Sequence, residues 1–179
     1  MERPVKMDLR MKTLLATAAV LAPPLLATPA GALEPTTIVV LDFDYSDSSG
    51  EPRDQEAVHQ ARLGAFAERI RAALAASGAY RVVPAQCPAR PCSAKNYETE
   101  ELFDFARRAG AKLMLFGGVH KMSTLVQWAR VELVDVAENR LVDDRHLSFR
   151  GDDEDSWRRA ADYVARKMTK QHAQEERPE

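Results

Sequence analysis

Thr36-Thr37-Ile38-Val39-Val40-Leu41-Asp42-Phe43-Asp44-Tyr45 is a β-branched and aromatic run closed by acidic residues. Its core is apolar at consecutive rather than alternate positions, which marks a strand buried on both faces, as in the centre of a helix-covered sheet. Turn chemistry follows in Ser46-Asp47-Ser48-Ser49-Gly50-Glu51-Pro52. Leu63, Phe66, Ile70 and Leu74 then recur at helical spacing, Gly78 supplies a stop, and Tyr80 to Val83 reads as a short strand ended by Pro84. A strand, a long helix and a strand in succession require a crossover and so parallel pairing.

Working towards the C-terminus, Glu100 and Glu101 open a second helix and Arg107 and Arg108 close it, the charge order that suits the helix dipole. Leu102, Phe105, Ala106 and Ala109 form its apolar stripe and Gly110 ends it. Leu113-Met114-Leu115-Phe116 is another buried strand, and Gly117-Gly118 after it permits close approach of a backbone or ligand. Leu125 to Val136 places Leu125, Ala129, Val131 and Leu133 on one face and Val126, Trp128, Arg130 and Glu132 on the other. A turn near Ala137-Glu138-Asn139 leads to Leu141 to Arg150, whose Asp143, Asp144, Arg145 and His146 suit a sheet edge. Trp157, Ala160, Ala161, Val164 and Met168 make the inner face of a last helix, and Gln171 to Glu179 is expected to be a disordered tail. The expected fold is a single α/β domain over residues 33–170, a mixed β-sheet with helices in the order β-α-β-α-β-β-β-α.

Upstream of the first strand, Lys6, Arg10 and Lys12 precede the apolar run Thr13 to Ala27 and the small-residue site Ala30-Gly31-Ala32. This is the pattern of a cleaved export signal, residues 1–32. The run is shorter than the roughly 20 apolar residues a spanning helix needs, so no membrane span is expected. No cysteine follows the cleavage site to carry a lipid, and the expected location is the periplasm. The signal carries four basic and two acidic residues, so its loss moves the net charge from −2 to −4. That acidity argues against a nucleic-acid partner. Cys87 and Cys92 are the two cysteines, and export to an oxidising compartment pairs them as a structural disulfide. The spacing is not the Cys-x-x-Cys of a redox pair.

Four segments together carry a family resemblance: Ile38 to Phe43, Ser77 to Val83, Ala109 to Gly117, and Gly151 to Trp157. Over nearly all of the mature sequence the chain resembles a bacterial family of uncharacterised exported proteins. Its first part is similar to the amino-terminal domain of the periplasmic propeller protein of the Tol system, and more distantly to the curli secretion lipoprotein. The resemblance implies an anticodon-binding-domain-like fold used for protein contacts in the cell envelope, without catalysis. The chain is too short to carry a propeller.

Asp42 and Asp44 sit near the carboxyl end of the expected central strand, where open α/β sheets place ligand crevices. Asp42 equally suits a cap or a backbone hydrogen-bond acceptor. The acidic stretch from Asp42 lacks the glycine at the sixth position and the glutamate at the twelfth that a helix-loop-helix calcium site requires. His59, His146 and His172 have no zinc-ligand spacing, so no metal is expected. His120 and Lys121 end the strand begun at Leu113 and are the best polar candidates for a ligand or partner, against a plain reading as exposed strand-end residues. Trp128 lies on the mixed strand face and is a candidate contact, whereas Trp157 belongs to the core.

No nucleophile motif, phosphate loop or zinc motif is present, so neither an enzyme nor a cofactor is expected. The leading reading is a non-enzymatic periplasmic accessory protein that binds an envelope protein partner through its sheet edge or mixed face. The alternative is a small-molecule or metal-ion binding module with Asp42, Asp44, His120 and Lys121 around one crevice.

Overall fold

A break in the opening run decides which side chains reach each face of the sheet. In the computed structural model, which describes residues 34–175, that run is two strands, β1 (Thr36–Val40) and β2 (Asp44–Asp47). Both pair in parallel with β4 (Leu113–Ser123), β1 ending at Val40↔Leu115 and β2 starting at Asp44↔Gly118. The run thus spends one more residue than β4 between the two registers. Such a slip reverses the inward and outward sets of a strand. Ile38 and Val40 share one core with Phe43, while Val39 and Leu41 belong to the other. The single strand expected over Thr36 to Tyr45 is corrected accordingly. Asp42 leaves the ladder because its N–H donates to the Cys92 carbonyl and its carboxylate is held by Arg71, Arg90 and the Cys92 N–H.

Helix α1 (Glu56–Ala76) returns the chain to β3 (Tyr80–Val83), parallel to β1, and α2 (Thr99–Arg108) returns it to β4. Gly78 and Gly110 end the two helices at positive φ, where a residue without Cβ is favoured. β4, β5 (Val126–Asp135) and β6 (Arg140–Arg150) then form an antiparallel meander with β6 at the edge. The sheet order is β3-β1-β4-β5-β6, with β2 beside β4, so the expected mixed α/β architecture is observed.

Helices α1 and α3 (Glu154–Glu175) cover one face of the sheet, where Leu63, Phe66, Ile70, Trp157 and Met168 meet Ile38, Leu115, Val131 and Leu133. On the other face α2 packs Leu102, Phe105 and Ala106 on Val39, Leu41, Met114 and Val134. Two further expectations are corrected. Leu125 is exposed in the turn before β5, and Gln127 takes the buried place expected for it. α3 runs to Glu175, past the boundary expected at Gln171, because His172 is buried against the Tyr80 ring and bonds Thr36 Oγ1 at 3.0 Å. The expected export signal and residues 176–179 lie outside the described residues.

Candidate functional site

α2 has ten residues, about 15 Å of helix, against eleven residues and about 36 Å of strand in β4. α2 alone is therefore too short to cover the length of that face, and the cysteine loop adds Cys92, Cys87 and Tyr97 to the covered part. On the remainder, strand register lines up two adjacent rows of side chains. Asp44, Gly118, Arg130 and His146 pair in turn across β2, β4, β5 and β6, and Ser46, His120, Trp128 and Ser148 form the next row. Gly118 leaves the floor open, since a Cβ there would lie 3.2 Å from the Asp44 carbonyl oxygen. The result is an open groove of about 750 Å³, with Lys95 at one side.

Trp128 stands 51% exposed in this groove. His120 is clamped beside it, with Nδ1 2.8 Å from Ser46 Oγ and Nε2 2.9 Å from Ser48 Oγ. Both ring nitrogens are thus held by serine hydroxyls, each of which can donate or accept as the ring requires. Arg130 makes a two-pronged pair with Asp144, at 3.0 and 2.9 Å, and reaches Glu132 at 2.9 Å. Its hydrogen bonds with Asp144 hold that carboxyl below the usual carboxylate range. The Lys95 N–H donates to Asp44 Oδ2 at 3.0 Å, which ties the loop after the cysteines to the groove. The groove sets charged and hydrogen-bonding side chains around one indole on a largely apolar floor with Val119, Ala129 and Leu147, and its ion pairs and hydrogen bonds hold those groups in place.

Asp44, His120 and Trp128 thus come together, whereas Asp42 and Lys121 go elsewhere. Asp42 is a tether. Arg71 and Arg90 reach it at 2.8 Å, and so does the Cys92 N–H, fixing the loop closed by the Cys87–Cys92 disulfide. Burial pushes its carboxyl up, but those bonds outweigh it and leave the group below its ordinary value.

Lys121 follows His120 in the strand and so points to the opposite face, where it is wholly buried. Its Nζ donates to Glu51 Oε2 at 2.6 Å, Gln55 Oε1 at 2.8 Å and Asp152 Oδ2 at 2.7 Å. Asp152 also accepts from Arg62 at 2.8 Å and contacts His59 Nε2 at 2.9 Å. Burial lowers the Lys121 pKa, but Asp152 and Glu51 carry it above its ordinary value. The exposed strand-end reading of Lys121 is therefore corrected. Its ammonium joins the β2–α1 segment to the β6–α3 junction, and Asp152 carries the network on to α1 through Arg62 and His59.

Sequence reasoning missed Arg130, His146, Ser46 and Lys95 as groove residues. The alternating charged face of Leu125 to Val136 was the available signal, but their convergence depends on cross-strand register. Among the described residues no helix is long and apolar enough to cross a membrane.

A family model, DUF3280, described as "Protein of unknown function (DUF2380)", matches residues 36–168. The chain belongs to this family. The match spans the strands and most of α3, so both the groove and the Lys121 cluster are built from family-matched sequence. No curated protein matches the chain. Among solved structures, the chain is similar to the PelC dodecamer from Paraburkholderia phytofirmans, at 16% identity and TM-score 0.47, over 76% of this chain and 89% of that one. It is similar to the LpoB C-terminal domain from Salmonella enterica at 16% identity and TM-score 0.46, over 66% and 85%. TolB from Acinetobacter baumannii is similar at 16% identity and TM-score 0.46, over 73% of this chain and 26% of TolB.

Proposed function

We propose that this DUF3280 protein is a non-catalytic accessory protein of the bacterial cell envelope, exported to the periplasm, that holds a protein partner on the uncovered face of its sheet. The observation that carries the reading is Trp128, half exposed in one of two adjacent cross-strand rows that α2 does not reach. Exposed aromatic residues ringed by polar groups are where binding energy concentrates at protein interfaces. The amino-terminal signal pattern supports the compartment. Asp42 and Lys121 are committed to internal ion pairs, which weighs against the solute or metal-ion crevice that required them.

A photo-crosslinking residue placed at Ser148, exposed beside Trp128 in the groove, compared with one at Tyr163 on α3, tests the reading in intact cells. A discrete adduct with one protein from position 148, absent from position 163, is the expected result. Equal or absent adducts from both positions would refute it.

A further inference from the structure

β6 is the last strand of the sheet, and among the described residues it pairs with β5 alone. At eleven residues it is a long free edge, about 36 Å of strand. The Gly151 N–H bonds the Leu125 carbonyl at 2.9 Å, which sets the phase of the ladder. Antiparallel partners alternate between hydrogen-bonded and non-hydrogen-bonded pairs, so Asp143, Arg145, Leu147 and Phe149 bond β5. Asp144, His146, Ser148 and Arg150, all exposed, turn their N–H and C=O groups outwards, and no described residue bonds them there. Such an edge is a template for a further strand.

The order of side chains specifies which strand. An antiparallel copy related by a two-fold axis at Leu147 sets Asp144 opposite Arg150, His146 opposite Ser148, and Leu147 opposite its own equivalent. The outward-turned residues of one copy then meet those of the other, so both edges are satisfied together. Arg150 has no carboxylate partner of its own among the described residues, and Asp144 keeps lone pairs beyond those that Arg130 uses. Other registers are worse. A two-fold at Asp144, Arg145 or His146 sets that side chain against its own copy, and one at Ser148 sets His146 against Arg150. The edge charges that resist an arbitrary strand thereby select this one. Ser156, Arg159, Ala160 and Tyr163 of α3 line a concavity of about 450 Å³ beside residues 146–150, so the helical side leaves the edge accessible.

We propose that β6 pairs antiparallel with β6 of a second copy about a two-fold axis at Leu147, joining two six-stranded sheets into one. The ladder runs from Asp144 to Arg150 of each copy. The Trp128 row then continues through Ser148 into His146, Arg130, Gly118 and Asp44 of the second copy, so each groove is extended by the other. The pairing stands apart from the partner surface proposed above, and only the use of the joined groove rests on that reading. Adducts of the chain with itself have twice its mass, so photo-crosslinking separates them from a foreign partner and the two readings fail independently.

Cysteine substitution in the full-length protein tests the register. The native cysteines are paired, so an introduced thiol is the free one. Residues facing each other in a non-hydrogen-bonded pair have Cα atoms about 4.5 Å apart, within disulfide reach. Ser148 and its equivalent are offset by a further two residues of strand, which puts them beyond it. Under a mild oxidant, Leu147→Cys should form a covalent dimer on a non-reducing gel and Ser148→Cys should not. Sedimentation equilibrium of the unsubstituted protein should show a dimer. Arg150→Asp should raise its dissociation constant about tenfold, by turning two attractive cross-strand pairs repulsive. A monomer at every concentration, a covalent dimer from Ser148→Cys in place of Leu147→Cys, or a dimer indifferent to Arg150→Asp would each overturn the proposal.

Discussion

His120 and Lys121 are sequence neighbours with opposite fates, because adjacent side chains of a strand point to opposite faces. His120 reaches the open groove, while Lys121 enters a buried cluster in which an ammonium meets two carboxylates and an amide. Removing one partner of a buried pair leaves the other desolvated and uncompensated. Lys121→Met should therefore cost about 3 kcal/mol in urea unfolding, at the lower end of the range for broken buried pairs. Asp152 retains Arg62 and His59, which limits the loss. Burial raises the Asp152 pKa, but hydrogen bonds from Lys121 and His59 outweigh it and hold the carboxyl below its ordinary 3.8. A carboxyl depressed on folding contributes stability that is present above the unfolded value and lost as pH falls through the folded one. The stability gap between wild type and Asp152→Asn should therefore stay constant from about pH 5 to pH 7 and narrow below pH 4. Lys121 has the opposite sign, its contribution being complete below 10.5 and lost as pH rises through its raised value. Gln127 is wholly buried on the same face, and neither side-chain polar atom has a partner among the described residues. Gln127→Met removes that penalty at similar volume and should raise stability by about 1 kcal/mol by the same urea measurement.

The elements were legible where hydrophobic period and punctuation agreed. The inner face of α1, the charge order of α2, the positive-φ glycines and the charged edge strand all stood in the sequence. The break between β1 and β2 was not legible, because Ile38 to Tyr45 contains neither glycine nor proline. The break depends on Asp42 finding two arginines and a backbone N–H from distant segments. The end of α3 was missed for a related reason: the apolar stripe stops at Met168, and His172 extends the buried face through Thr36 and Tyr80, far away in sequence. Gly117 shows how closely the elements pack. A Cβ there would be driven into the Arg130 carbonyl oxygen and crowd the Phe43 ring at 3.1 Å. Backbone cannot give way as a flexible side chain can, so Gly117→Ala should destabilise the domain by about 3 kcal/mol, measured by urea unfolding. The cysteine loop holds Asp42 through Arg90 and the Cys92 N–H. Replacing both cysteines by serine should cost about 2 kcal/mol from the freed unfolded chain, read as a lower thermal midpoint.

At the scale of the whole molecule, the two faces of the sheet are built differently. One is sealed by α1 and α3 over an aromatic core, and the other is half covered by a helix too short to span it. The sequence contained Asp44, His120 and Trp128 as separate candidates. Their assembly with Arg130 and His146 needed two strand registers and the slip that moved Asp44 onto this face, none of which a single sequence displays. The consequence is a separation between stability and binding that one substitution measures. Trp128 contributes to no core cluster among the described residues and is half exposed, so Trp128→Ala should change folding stability by less than about 0.5 kcal/mol. If the open face holds the partner, the same change removes its central aromatic and should cost about 2 kcal/mol of binding, close to a thirtyfold rise in Kd. Trp157→Ala, in the sealed core, should do the reverse at the level of folding, with a loss of about 4 kcal/mol. Urea unfolding of both variants, with titration of the partner recovered by crosslinking, distinguishes a binding face from a structural one. A Trp128→Ala protein that unfolds early and binds normally would mean that the indole serves the fold.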